Sequence, residues 1–133
     1  MKYLLIIILM LFLNSCDTFY YIEVVNESDK PIKHFLAMGG EFGSSYPDSL
    51  PDTDKYVFQI LPSKTYLYQS RSPWSEVFTD VKLPKDTLSV YFFSPDTLNA
   101  YSWQRVRRED KFLKRYDLSV EDLNRSNFKI VFK

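Results

Sequence analysis

The chain has 133 residues, with 17 basic and 17 acidic side chains and no net charge at pH 7. That balance provides no long-range pull toward nucleic acid or an anionic surface, and 3 Gly with 7 Pro exclude collagen-like or low-complexity architecture. One His and one Cys leave no ligand set for a His/Cys metal centre and no disulfide within the chain, so stability has to come from apolar burial, for which 11 Phe, 10 Tyr and 2 Trp are available.

The first segment is unlike the rest. Met1 and Lys2 make a short basic start, residues 3–13 form an uninterrupted apolar run of eleven, and Asn14, Ser15 and Cys16 close it. This is the layout of a secretory signal. A helix rising ~1.5 Å per residue needs roughly 20 apolar residues to cross ~30 Å of hydrocarbon, so the run is too short for a permanent span. Leu13-Asn14-Ser15-Cys16 resembles the bacterial lipobox. That resemblance implies cleavage between Ser15 and Cys16, diacylglycerol on the Cys16 thiol, and an acylated, palmitate-type lipoprotein beginning at Cys16. One acyl chain binds a bilayer only marginally, whereas two or three make attachment effectively permanent. Residues 1–15 are therefore read as a cleaved signal peptide and residues 16–133 as one lipid-anchored globular domain. The expected location is the cell envelope, with the outer membrane favoured. Losing Lys2 from the 17 basic residues leaves 16 against 17 acidic ones, so the mature domain stays near neutral.

Residues 18–26 (TFYYIEVVN) are β-branched and aromatic and predict a strand, ended by the polar cluster Asn26-Glu27-Ser28-Asp29. Residues 31–38 (PIKHFLAM) alternate Ile32, His34, Leu36 and Met38 against Lys33, Phe35 and Ala37, as expected of a hairpin partner stopped by Gly39 and Gly40. With so short a link to Cys16, the domain is expected to lie close to the membrane. Residues 39–54, with Ser44, Ser45, Tyr46, Pro47, Asp48, Leu50 and Pro51, read as an ordered surface loop fixed by its prolines. Residues 55–61 (KYVFQIL) predict a strand broken by Pro62 and Ser63, with residues 65–68 as its short partner. Ser72 and Pro73 suit a cap and a first helical position, giving a helical turn through Phe78. Residues 86–93 (DTLSVYFF) carry the strongest strand signal in the chain.

Residues 98–110 contain neither Gly nor Pro and follow Asp96 and Thr97, either of which can cap a helix. Trp103, Val106 and Asp110 fall on one stripe of it. Ser119, with Asp122 three residues on, suits the capping box of a second, short helix. Residues 127–133 (NFKIVFK) alternate Phe128, Ile130 and Phe132 against Lys129, Val131 and Lys133, a closing strand with one buried face. The stretch between residues 86–93 and this strand is long enough for a right-handed crossover that would set the two in parallel. The sum is an α+β fold: a single compact domain with a mostly antiparallel sheet of about five to six strands, and one longer and one short helix near its C-terminal end.

Trp103-Gln104-Arg105-Val106, and the run Phe112-Leu113-Lys114-Arg115-Tyr116-Asp117-Leu118-Ser119-Val120-Glu121-Asp122-Leu123, carry a resemblance. Their Leu-x-Arg-Tyr-Asp-Leu-Ser-x-x-Asp-Leu pattern before a final strand is similar to that of a group of small uncharacterised lipoproteins from Bacteroides-type bacteria. The Tyr46-Pro47-Asp48 loop followed by Leu50-Pro51 is similar as well. The resemblance implies the envelope compartment and one compact domain, and it carries over no catalytic residue. Within the run, Asp117 suits backbone donors at a turn, Leu118 a helix staple and Ser119 a cap, so fold grammar explains it.

A Ser–His–Asp arrangement would have to use His34, which sits mid-strand on the parity of Ile32 and Leu36, where a satisfied buried imidazole is expected. Asp48, Asp52 and Asp54 lack the Gly and Glu that an EF-hand requires at its sixth and twelfth places, here Thr53 and Gln59. No Gly-rich phosphate loop and no privileged carboxylate pair stands out. No cofactor, metal or catalytic residue is expected. Two features suggest partner binding. The basic run Arg105, Arg107, Arg108, Lys111, Lys114 and Arg115 suits lipid headgroups or an acidic partner, against a plainer reading as a solvated helix face. Trp74 and Trp103, with the tyrosines, suit a platform for sugar rings or a protein, against a plainer reading as core. The function expected is a non-enzymatic binding or scaffolding domain, tethered to the membrane by its lipid, for a protein or glycan partner in the envelope. The alternatives are a small hydrolase of cell-wall or glycan material, and a surface-assembly subunit that pairs through an exposed strand.

Overall fold

Side chains on a strand point alternately to its two faces, so the burial of each strand tells what covers it. The computed structural model describes residues 18–37, 50–51, 53–80 and 87–133. Ser15, Cys16 and most of the 39–54 loop, Asp48 and Asp52 included, lie outside the described residues. Among these described residues seven strands, β1 (Tyr20–Asn26), β2 (Ile32–Ala37), β3 (Phe58–Ile60), β4 (Thr65–Ser70), β5 (Thr87–Phe93), β6 (Lys114–Ser119) and β7 (Lys129–Phe132), are joined by short helices. These are α1 (Trp74–Asp80), α2 (Pro95–Ala100), α3 (Trp103–Arg108) and α4 (Val120–Arg125). One sheet has the order β4-β1-β7 and the other β3-β2-β5-β6. Every pairing is antiparallel except that of β1 with β7. The α+β class holds, mostly antiparallel, with more strands and shorter helices than the sequence suggests.

β5 sets the layering, because residues 88–93 are all buried. Leu88, Val90 and Phe92 face the three-stranded sheet and meet Ile22, Val24, Ile32, Leu36, Ile130 and Phe132. Trp74 and Phe78 of α1 and Leu123 of α4 join that cluster. Tyr91 and Phe93 face the other way, into a second core with Phe35, Ala37, Leu50, Trp103 and Val106. The four-stranded sheet is therefore covered by a sheet on one face and by α2, α3, Leu50, Tyr56 and Val57 on the other. A strand covered on both faces reads as an unbroken apolar run, which is why DTLSVYFF stands out. α1 and α4 close the end of the sandwich where β1 begins, and the turns at residues 27–31 and 61–64 lie at the far end.

β2 is not the hairpin partner of β1: the chain leaves one sheet after Asn26 and enters the other at Ile32. Asn26, fully buried, directs that change. Its Nδ2 donates to the carbonyls of Lys30 (2.7 Å) and Ile60 (3.2 Å), and its Oδ1 accepts from the N–H (3.0 Å) and hydroxyl (2.6 Å) of Ser28. Such a side-chain turn competes with a hairpin turn for the same backbone groups. The next crossing works in reverse. Ser63 takes a positive φ of 58° and its N–H donates to the Asn26 carbonyl (2.9 Å), so β4 pairs with β1 and not with β3.

β7 runs parallel to β1, not to β5, because Ile130 and Phe132 are needed across the sandwich, with the Phe132 ring 4.9 Å from that of Phe92. The helix expected over residues 98–110 is two helices. Tyr101 is extended (φ −126°, ψ 146°), and the Ser102 hydroxyl accepts from the Arg105 N–H, starting α3 afresh. β6 occupies residues 114–119, where turn and cap chemistry was expected. Asp117 thus sits mid-strand, while the Ser119–Asp122 capping box forms as read, with bonds of 3.1 and 3.0 Å, and Leu118 packs on the core cluster that holds Leu123. The Asn26 junction gives a direct test. Asn26→Ala leaves the buried Ile60 carbonyl without its side-chain donor and the Lys30 carbonyl with the Ser28 hydroxyl alone, and at ~1–3 kcal/mol per unpaired buried group the loss should be about 1–3 kcal/mol. Urea unfolding is expected to show a lower midpoint at unchanged slope.

Candidate functional site

β2 carries His34 into the sandwich, fully buried. Its Nδ1 lies 3.0 Å from the Phe58 carbonyl oxygen, which can only accept, so Nδ1 holds the proton. Nε2, 2.9 Å from the Tyr68 hydroxyl, accepts from it. Tyr66 and Tyr68 stand edge-on to the imidazole at 5.0 and 5.6 Å. Burial lowers His34 to about 4, against a smaller upward pull from the Phe58 bond. Burial, with Tyr66 beside it, also pushes the Tyr68 hydroxyl above the usual tyrosine range. The imidazole is a neutral pin joining β2, β3 and β4, with no lone pair left for a substrate proton. Ser89 donates to Asp117 Oδ1 on the opposite face of the same sheet, and Arg115 Nε donates to that oxygen at 2.8 Å. Ser89, His34 and Asp117 therefore do not converge.

The basic run folds onto its own partners. Arg107 Nε donates to the Leu50 carbonyl and Trp103 Nε1 to the Pro51 carbonyl, both at 2.8 Å. α3 thus clamps residues 50–51 into the second core, and these two, expected on a surface loop, are buried because β5 needs apolar cover there. Arg105, Lys111 and Arg108 gather about Glu109 at 2.9, 3.1 and 3.4 Å. The Lys111 ammonium, then the two guanidinium groups, hold the Glu109 carboxyl at about 2. Arg105 and Lys111 also lie over the Tyr101 ring, at 4.8 and 4.5 Å. The platform expected of Trp74 and Trp103 does not form, because each indole fills a core. Trp74 stacks on Phe78 and Trp103 stands against Phe93, both at 5.7 Å.

Concavity lies at the far end of the sandwich instead. A pocket of about 330 Å³ has Pro31, Ile32, Leu113 and Phe132 as its apolar lining and Asp29, Lys30, Asp96 and Lys133 as its charged lining. A neighbouring depression of about 310 Å³ is formed by Thr97, Tyr101, Lys111, Phe112 and Leu113. Leu113 borders both and is 54% exposed. The backbone fixes it there: its N–H donates to the Phe92 carbonyl at 2.7 Å, and Asp110 upstream turns the chain with a positive φ of 49°. The surface is assembled from the 27–31 turn, the start of α2, the residue before β6 and the end of β7, so no local motif announces it. The signal available in the sequence was Leu113 itself, an apolar residue ahead of the charged pair Lys114-Arg115. Among the described residues no group of three or more His, Cys, Asp or Glu is placed to hold a metal ion.

No family model, curated protein or solved structure matches the chain.

The His34 pin should be visible in pH dependence. Its folded value is depressed below 6.5, so the unfolded chain binds the extra proton, and stability present above pH 6.5 is lost as pH falls toward 4. Between pH 7 and 5 the loss should be about 2 kcal/mol, at ~1.4 kcal/mol per unit. Denaturant unfolding across that range is expected to show this slope in the native chain and a flat profile in His34→Gln.

Proposed function

We propose that this chain is an exported, lipid-anchored domain of the cell envelope that binds a protein partner there and catalyses no reaction, with the concave surface about Leu113 as its binding site. The observation that carries the reading is Leu113: a large apolar side chain more than half exposed, on the shared lip of two depressions, fixed by its backbone bond to β5. An apolar anchor beside pockets with a polar rim is the anatomy of a protein interface. Asp29 and Asp96 share the lining with Lys30 and Lys133, so the complement is a segment of mixed charge presenting an apolar side chain, not a polyanion. The signal-like residues 1–15, the lipobox-like Leu13-Asn14-Ser15-Cys16 and the run resembling Bacteroides-type lipoproteins support the anchor and the compartment.

Two observations count against the alternatives. Hydrolysis through His34 has no free ring nitrogen to use. Assembly through an open edge is opposed on one side of the sandwich, where β6 and β7 form the facing edges of their sheets and the Tyr116 hydroxyl donates to the Val131 carbonyl at 3.3 Å. The test is photo-crosslinking in native membranes from a probe at Lys30. One protein partner should be captured, and capture should fall at least tenfold in Leu113→Asp while surviving Leu61→Asp, which alters an exposed leucine elsewhere. Equal capture by both variants, or turnover of envelope glycan by the purified chain, would refute the reading.

A further inference from the structure

Among the described residues, the large apolar side chains left exposed fall into two groups. Leu113 and Tyr101 border the concave surface and Leu61 lies in the 61–64 turn, whereas Tyr20, Tyr21 and Leu67 are on β1 and β4. Tyr20 and Tyr21 are 37% and 42% exposed at the start of β1, with Phe19 half-buried before them. Tyr20 pairs with Ser70 and Tyr21 with Gln69 at the last residues of β4, and exposed Arg71 follows. Three successive aromatics and a cation thus share one solvent-open corner of the three-stranded sheet. Four residues carry the chain from Cys16 to Tyr20, and four residues reach at most about 14 Å. With lipid on Cys16, that corner stays within about 14 Å of the anchored residue, at the bilayer surface, whatever path the tether takes.

We infer that this corner, with Tyr20, Tyr21 and Arg71 as its contacts, is the surface on which the domain sits in the interfacial layer of the bilayer. The inference rests on the lipid-anchor reading above and adds to it an orientation. Tyrosine suits the layer because its ring favours the apolar side and its hydroxyl the wet side. Arginine suits it because the guanidinium bonds phosphate oxygens while the stem lies along apolar surface. Carboxylates set the limit of the contact. Glu23, two residues past Tyr21 on the same face, lies between Leu67 and Lys129 in the register and has to stay in water. Glu76 of α1 and Glu121 of α4, at the same end of the sandwich, impose the same limit, so the domain stands on a sheet corner and not on a flat face. β1 has seven residues and spans about 23 Å, so the Leu113 surface is held that far out from the headgroups.

Because Cys16 is the only cysteine, an introduced thiol is the only one free for labelling once Cys16 carries lipid. Full-length lipidated chain bearing a nitroxide at Gln69→Cys or Lys30→Cys is reconstituted in phosphatidylcholine vesicles and compared by power-saturation EPR. Oxygen, which concentrates in the bilayer, should relax the label at 69 several-fold more than a water-soluble nickel chelate does, with the reverse at 30. The double change Tyr20→Ser and Tyr21→Ser should move the ratio at 69 to that at 30 while the chain still floats with the vesicles. Equal nickel access at both positions overturns the proposal. So does a label at 69 shielded from both reagents, the result of a second copy covering the corner. Mass spectrometry of the N-terminal peptide judges the anchor separately. An unmodified Cys16 overturns anchor and seat together, whereas a lipidated Cys16 with a water-exposed label at 69 overturns the seat alone.

Discussion

The structure depends on a strand that cannot tolerate water on either side. Residues 88–93 of β5 present Leu88, Val90 and Phe92 to one side and Ser89, Tyr91 and Phe93 to the other, all buried. Each large buried side chain contributes roughly 1.5–3 kcal/mol, so leaving either face open would forfeit several of these terms at once. One face is met by the second sheet. The other is met by two helices too short to be stable alone, held there by Trp103, Val106 and Leu98 and by the bonds from Trp103 and Arg107 to the 50–51 backbone. The helices exist because β5 needs them.

Two buried polar side chains organise what the apolar layers leave unspecified. Apolar packing between sheets is non-directional, and a sandwich built on it alone has several possible strand orders. Asn26 ties the end of β1 to Lys30 before β2 and to Ile60 of β3, and His34 ties β2 to β3 and β4. Each bond set spans both sheets. Because an unpaired buried polar group is costly, alternative pairings that break these bonds are disfavoured beyond their loss of area. These two residues are the fold's register marks.

This division explains which parts of the structure can be read from the sequence. Alternation shows that a segment is a strand and which of its faces is buried, so β1, β2, β5 and β7 are legible, as is the α+β class. Alternation does not show which sheet supplies the cover. The pattern therefore suggests β2 beside β1 and allows β7 to run parallel to β5, when the apolar faces of both meet across the sandwich. β6 hides because Arg115 and Asp117 alternate with Tyr116 and Leu118 on an edge strand, where a half-buried pattern resembles a polar loop. His34 is legible as a buried imidazole because its neighbours of like parity are Ile32 and Leu36. The concave surface is not, since Asp29, Asp96, Leu113 and Lys133 come from four separate segments that meet only in the folded chain.

The place of β1 in its sheet has a mechanical consequence. It is the middle strand, hydrogen-bonded through six register pairs to β4 on one side and four to β7 on the other. A pull from ahead of Tyr20 directed along the axis of β1 acts across the direction of its inter-strand bonds. Both ladders are then loaded in shear, many bonds sharing the force together, where an edge strand peeled sideways would give them up one at a time. Tension along that axis is therefore shared between the two ladders. A domain held by that segment would have to shear two ladders at once before β1 came away.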